Sequence, residues 1–185
     1  SCQLRELPGE VGLLTHLRRL CLADNHLQHL PATVLGLTSL QHLDLRNNCL
    51  EDLPEGFTYM ASLQELLLSA RPDGTLPALP HDLWMLSGLK RLELRGGDLG
   101  EVPECVLWLT GLEELDIRSN ALKALPPRFY QLHKLQKLDA SHNQLACLPE
   151  QCSVMVALRH LELSNNAFET LPAAVNALTR LTYLS

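Results

Sequence analysis

Apolar residues recur along this chain at a fixed spacing. Between positions 37 and 59 they fall at Leu37, Leu40, Leu43, Leu45, Leu50, Leu53 and Phe57, with Asn48 and Pro54 between them. Shifting that stretch by 23 residues in either direction finds the same pattern again. A period in the 20s marks a stack of structural repeats. The template is LxxLxxLxLxxNxLxxLPxxΦxx, with Φ apolar. Full repeats run 14–36, 37–59, 60–85, 86–108, 109–131, 132–154 and 155–177, with partial repeats at 1–13 and 178–185. We read 1–185 as a single repeat domain. Terminal repeats of such arrays normally carry a polar outer face. Neither end does here, so the chain is expected to be a fragment of a longer protein.

Each place in the template predicts an element. The LxL pair, such as Leu43 and Leu45, alternates with period 2 and so faces one side of a short strand. Successive strands are expected to pair in parallel. The Asn that follows, at Asn25, Asn48, Asn120, Asn143 and Asn166, sits where the chain leaves the strand. Its amide both donates and accepts, so stacked copies form a ladder that satisfies backbone groups of neighbouring turns. The Leu-Pro step predicts a short helical segment with Pro in its first turn. Strand and helical faces both point inward, and only stacking buries them.

Two repeats depart from the template. Repeat 60–85 is three residues longer, and the extra residues fall within 69–75, SARPDGT, a turn signal that predicts a protruding loop. Arg71 and then Gly97 take the Asn place, so the ladder is interrupted over two repeats.

On these motifs the chain resembles the leucine-rich repeat superfamily. The 23-residue period with Leu-Pro in the second half resembles the intracellular type found in Ras-binding scaffolds, Ras-suppressor proteins, plant intracellular Ras-group proteins and Scribble-type polarity proteins. Bacterial ubiquitin-ligase effectors use shorter repeats with a second Leu-Pro, which this chain lacks. The resemblance implies an α/β solenoid, curved, with a parallel sheet on the concave face and short helical or irregular segments on the convex face. It also implies a protein-binding scaffold, with a small GTPase or a phosphatase as the partner class. The alternative is the recognition arm of a larger enzyme or immune sensor, such as a kinase, ubiquitin ligase or death-domain protein, whose active part lies outside this chain.

Composition narrows the field. Acidic residues number 21 against 15 basic, for a net charge of −6. A phosphate-binding surface is basic, so nucleic acid is not expected as a partner. No apolar run is long enough for a membrane span. The six cysteines form no CxxC pair, and there is no Asn-x-Ser/Thr acceptor. A cytoplasmic location is therefore expected.

Catalytic and metal candidates are poor. His26 and His29 lack a third ligand nearby. Asp139, Ser141 and His142 cluster in sequence, but Asp139 and Ser141 take ordinary outward strand positions. No catalytic residue, metal, cofactor or small-molecule substrate is expected, and the chain reads as a non-enzyme.

Two faces are candidate sites. On the concave face the central row, between the two strand leucines, reads Cys21, Asp44, Leu67, Glu93, Asp116, Asp139 and Glu162, and five of these seven are acidic. Arg46, Arg95 and Arg118 stand just after the second leucine. Leu67 interrupts the acidic row and is expected to be an exposed apolar anchor. Arg46, Leu67, Glu93, Arg95, Asp116, Arg118, Asp139 and Glu162 form the main candidate set, and substitutions at Glu93, Arg95, Asp116 and Arg118 are expected to spare the core. The convex alternative is Tyr59, Trp84, Trp108 and Tyr130, which end consecutive repeats. Aromatic residues are enriched at binding hot spots.

Overall fold

A computed structural model of the protein describes residues 3–185. Cys2, which the sequence puts at an Asn place, lies outside the described residues. The LxL pairs form the strands β1 (Arg19–Cys21), β2 (His42–Asp44), β3 (Glu65–Ser69), β4 (Arg91–Arg95), β5 (Glu114–Asp116), β6 (Lys137–Asp139), β7 (His160–Glu162) and β8 (Tyr183–Leu184). They pair in parallel in the order β1-β2-β3-β4-β5-β6-β7-β8. Leu20, Leu43, Leu66, Leu92, Leu115, Leu138, Leu161 and Leu184 stand in register across the whole sheet. The pairing is longest between β3 and β4, where five residues of each strand match, Glu65–Ser69 against Arg91–Arg95.

The opposite side is a row of single turns. Most are 3-10 helices, including Ala32–Gly36, Phe57–Tyr59, Leu83–Met85, Pro127–Gln131, Glu150–Val154 and Ala173–Ala177; Glu104–Leu107 is one turn of α-helix (α1). The prolines stand one step earlier than the sequence suggests. Pro31, Pro103, Pro126, Pro149 and Pro172 are the residues just before the turn rather than within it. Each accepts at its carbonyl the N–H three residues on, as in Val34 N–H to Pro31 O at 2.9 Å. A fixed φ and a missing donor suit that place, because the N–H would have no partner before the turn.

Leucines from the strands and the Φ residues of the turns meet between these layers. Val34, Phe57, Leu83, Val106, Phe129, Cys152 and Val175 occupy successive Φ places and are buried. Strands lie about 4.8 Å apart, whereas packed helices need about 8–10 Å. The stack therefore curves, and the sheet takes the inner face.

The Asn ladder closes the bend after each strand. Asn143 Nδ2 donates to the carbonyls of Ala140 (3.0 Å), Ser141 (3.1 Å) and, in the preceding repeat, Ile117 (3.0 Å). Its Oδ1 accepts the Leu122 N–H at 3.1 Å. Asn48, Asn120 and Asn166 repeat this arrangement, and Asn25 bonds within the first turn and to Leu4. At the gap, a side chain on Gly97 would collide with Leu76. Leu76 from the longer repeat thus fills the space of the missing amide. Arg71 instead holds the loop, with Nε 2.9 Å from Thr75 Oγ1 and Nη2 3.0 Å from Asp73.

Asn143→Ala should lower unfolding free energy by about 1–3 kcal/mol, because it strands buried carbonyls and one N–H. Asn176→Ala, at an exposed position in the turn Ala173–Ala177, should change it by under about 0.5 kcal/mol. Urea unfolding of both variants checks the pair; equal shifts would overturn the ladder register.

Candidate functional site

The concave face is set by the strand register. Cys21, Asp44, Leu67, Glu93, Asp116, Asp139 and Glu162 align as its central row. Alternation along each strand turns them away from the leucine core. Two of them do not behave as the sequence suggests.

Leu67 is not an exposed anchor; it is only 4% accessible. The cause is Arg46. Its guanidinium meets Asp44 at 2.6 Å on β2 and Glu93 at 3.5 Å on β4. To do so it spans β3 at the level of Leu67 and roofs it. Long arginine stems commonly cover apolar surface in this way.

Glu93 is the second correction. It is 1% exposed, so it belongs to the fold rather than to a contact surface, and a substitution there will not spare the structure. Arg95 Nε lies 3.0 Å from its Oε1, and Arg91 Nη2 lies 3.8 Å from its Oε2. Oε1 faces two guanidinium groups but takes no hydrogen bond of ordinary geometry.

Arg95, Asp116, Arg118, Asp139 and Glu162 are partly exposed on the same face. Arg118 stands between Asp116 (3.2 Å) and Asp139 (3.4 Å). With Arg91, Glu114 and Lys137 these groups line a cleft of about 90 Å³ over β4–β6. Burial pushes the Asp116 carboxyl above the usual carboxylate range. The Arg118 N–H and charge oppose that rise, and Asp139 and Glu93 add to it. Among the described residues Lys137 makes no ion pair, so its ammonium is open to a partner. The cleft thus presents alternating charges of both signs on a rigid floor.

One concave feature escapes a reading by repeats. The rings of His160 and Tyr183 stack with centroids 4.2 Å apart, on β7 and β8. Tyr183 stands 23 residues after His160. That spacing is the repeat period itself, and it puts the two rings on neighbouring strands.

On the convex side Tyr59, Trp84, Trp108 and Tyr130 are all exposed, from 40% to 75%. They stand within or just after the turns whose Φ residues, Phe57, Leu83, Val106 and Phe129, point inward. The Thr58 hydroxyl donates to Asp82 at 3.0 Å and ties two of these turns together.

The catalytic candidates separate. Ser141 Oγ donates to Asp139 at 2.6 Å, while the His142 ring faces Asn165 at 3.2 Å. Among the described residues no group of three or more His, Cys, Asp or Glu is placed to hold a metal ion. The described cysteines are free thiols, and burial pushes the Cys152 thiol up to about 11. Among the described residues no helix is long and apolar enough to cross a membrane.

Comparison with known proteins agrees with this geometry. A family model for the leucine rich repeat matches residues 15–70, and one for a leucine-rich repeat region matches residues 74–185. Among solved structures, a leucine-rich repeat protein of Leptospira interrogans is 36% identical, with a TM-score of 0.89 over 97% of this chain. The match covers 45% of that protein, so the present chain spans less than half its length. Human trophoblast glycoprotein (5T4, Wnt-activated inhibitory factor 1) is 27% identical over 89% of this chain and 67% of its own, with a TM-score of 0.67. No curated protein matches the sequence.

Proposed function

The chain belongs to the leucine-rich repeat family, and on that premise we propose that it is a protein-binding scaffold module whose concave face receives the partner over β4–β6. Repeats of this family generally serve protein–protein interaction. The observation that carries the placement is the charged cleft of Arg91, Glu114, Asp116, Arg118, Lys137 and Asp139. All but Arg118 are held on strands, and Arg118 is held between Asp116 and Asp139, so the charges are preorganised for a partner of complementary pattern. A partner carrying acidic residues opposite Lys137 and Arg118, and basic residues opposite Glu114, fits it best. Small GTPases and phosphatases remain the partner classes that the repeat type suggests, by analogy. A reducing, cytoplasmic setting belongs to the same reading, on the spacing of the six cysteines in the sequence.

The test begins with affinity capture of the partner from lysate. Lys137→Glu and Arg118→Gln should then each weaken binding about tenfold. Lys137→Glu should shift stability by under about 0.5 kcal/mol, since Lys137 is exposed and unpaired among the described residues. If both variants bind like the parent, the concave placement is wrong.

A further inference from the structure

The chain contains two tryptophans, and both open onto one convex cleft. That cleft encloses about 360 Å³ and is lined by His81, Trp84, Glu104, Cys105 and Trp108. On its far side Glu104 borders a second cleft of about 450 Å³, to which Glu101 and Arg128 also contribute. The indoles are not core residues displaced outward, because Leu83 and Val106 fill the core places of the same turns. Among the described residues neither indole meets another ring or a cation.

We propose that this cleft binds an arginine or lysine side chain of a protein partner. An indole face carries negative electrostatic potential and attracts cations more strongly than other rings do. Glu104 stands with the indoles in this cleft, and the adjoining cleft that it borders adds one more carboxylate, Glu101, and one cation, Arg128. Arg128 Nη1 lies 3.4 Å from Glu104 Oε1, but both side chains are more than half exposed. A pair of that kind holds weakly and yields to a better-placed cation. Arginine suits the site better than lysine, since its planar group can stack on an indole while it hydrogen-bonds a carboxylate. The net charge of −6 adds a general attraction for a basic partner. This site is independent of the concave cleft, so either can stand without the other.

Because the chain has no other tryptophan, indole fluorescence reports this cleft directly. The 185-residue chain would be titrated with the end-blocked tripeptides Gly-Arg-Gly and Gly-Gln-Gly. The arginine peptide should produce a saturable change and the glutamine peptide none. Glu104→Gln should weaken the arginine response about threefold. Arg128→Gln removes the resident cation and should strengthen it. Equal responses to the two peptides, a response that never saturates, or a Glu104→Gln variant that binds like the parent would each overturn the proposal.

Discussion

Glu93→Lys should destabilise the protein by about 3–5 kcal/mol, the usual result of leaving buried charge without its partner. Glu93 is the carboxylate on which Arg46, Arg91 and Arg95 converge. Arg46 would keep Asp44, and Arg91 would keep Glu114. Arg95 would lose its carboxylate, and a fourth cation would be forced into a place with almost no access to water. The roof over Leu67 would open as Arg46 swung away. Glu162→Lys makes the same exchange in the same row, but on β7, where the carboxylate is half-exposed. It should cost under about 1 kcal/mol. Urea unfolding followed by circular dichroism compares the two, and equal midpoints would show that the arginine cluster contributes nothing special.

The contrast between Glu93 and Glu162 also shows what a repeat pattern can convey. Both residues hold the same place in the template, and the period assigns both to the concave face. The period says nothing of how far a neighbouring side chain reaches. Arg46 crosses from β2 to β4, and that span depends on its length and on two carboxylates standing on different strands. The burial of Leu67 and Glu93 follows from that span and is invisible in hydrophobic spacing. The strand register, by contrast, is legible in full, because a leucine every 23 residues, or 26 across the longer repeat, leaves one way to stack. So is the Asn place.

The place before the ladder residue carries a signal of its own. The residue just before the ladder place takes a left-handed conformation at Asp24, Asn47, Gly96, Ser119, His142 and Asn165, with φ between 54° and 72°. Asn, Asp and Gly tolerate that region best. Their recurrence at this place marked a tight turn after the strand. Ser119 is a less tolerant residue held there by the stack around it: its N–H donates to Ser141 O at 2.9 Å, as the His142 N–H does to Ser164 O.

Phe129→Ala should cost about 3–5 kcal/mol, while Tyr130→Ala, one residue further on, should cost under about 0.5 kcal/mol. The two rings share the turn Pro127–Gln131. Phe129 holds the Φ place and is fully buried between the sheet and the adjoining turns, whereas Tyr130 stands on the convex surface. Truncating Phe129 opens a cavity whose lining has little freedom to collapse, because Leu132 and Leu135 are fixed in the next repeat and Val106 in the one before. Each repeat of a solenoid is stabilised by its neighbours, so the loss should loosen the turns on both sides, α1 and Glu150–Val154. Amide hydrogen exchange should therefore show faster exchange at Val106 and Cys152, whose N–H groups bond to Pro103 and Pro149 at 3.0 Å. At Val34, far along the stack, exchange should be unchanged. If Tyr130→Ala proved as damaging as Phe129→Ala, the inward and outward faces assigned to this turn would be wrong, and the convex aromatic row would be part of the core.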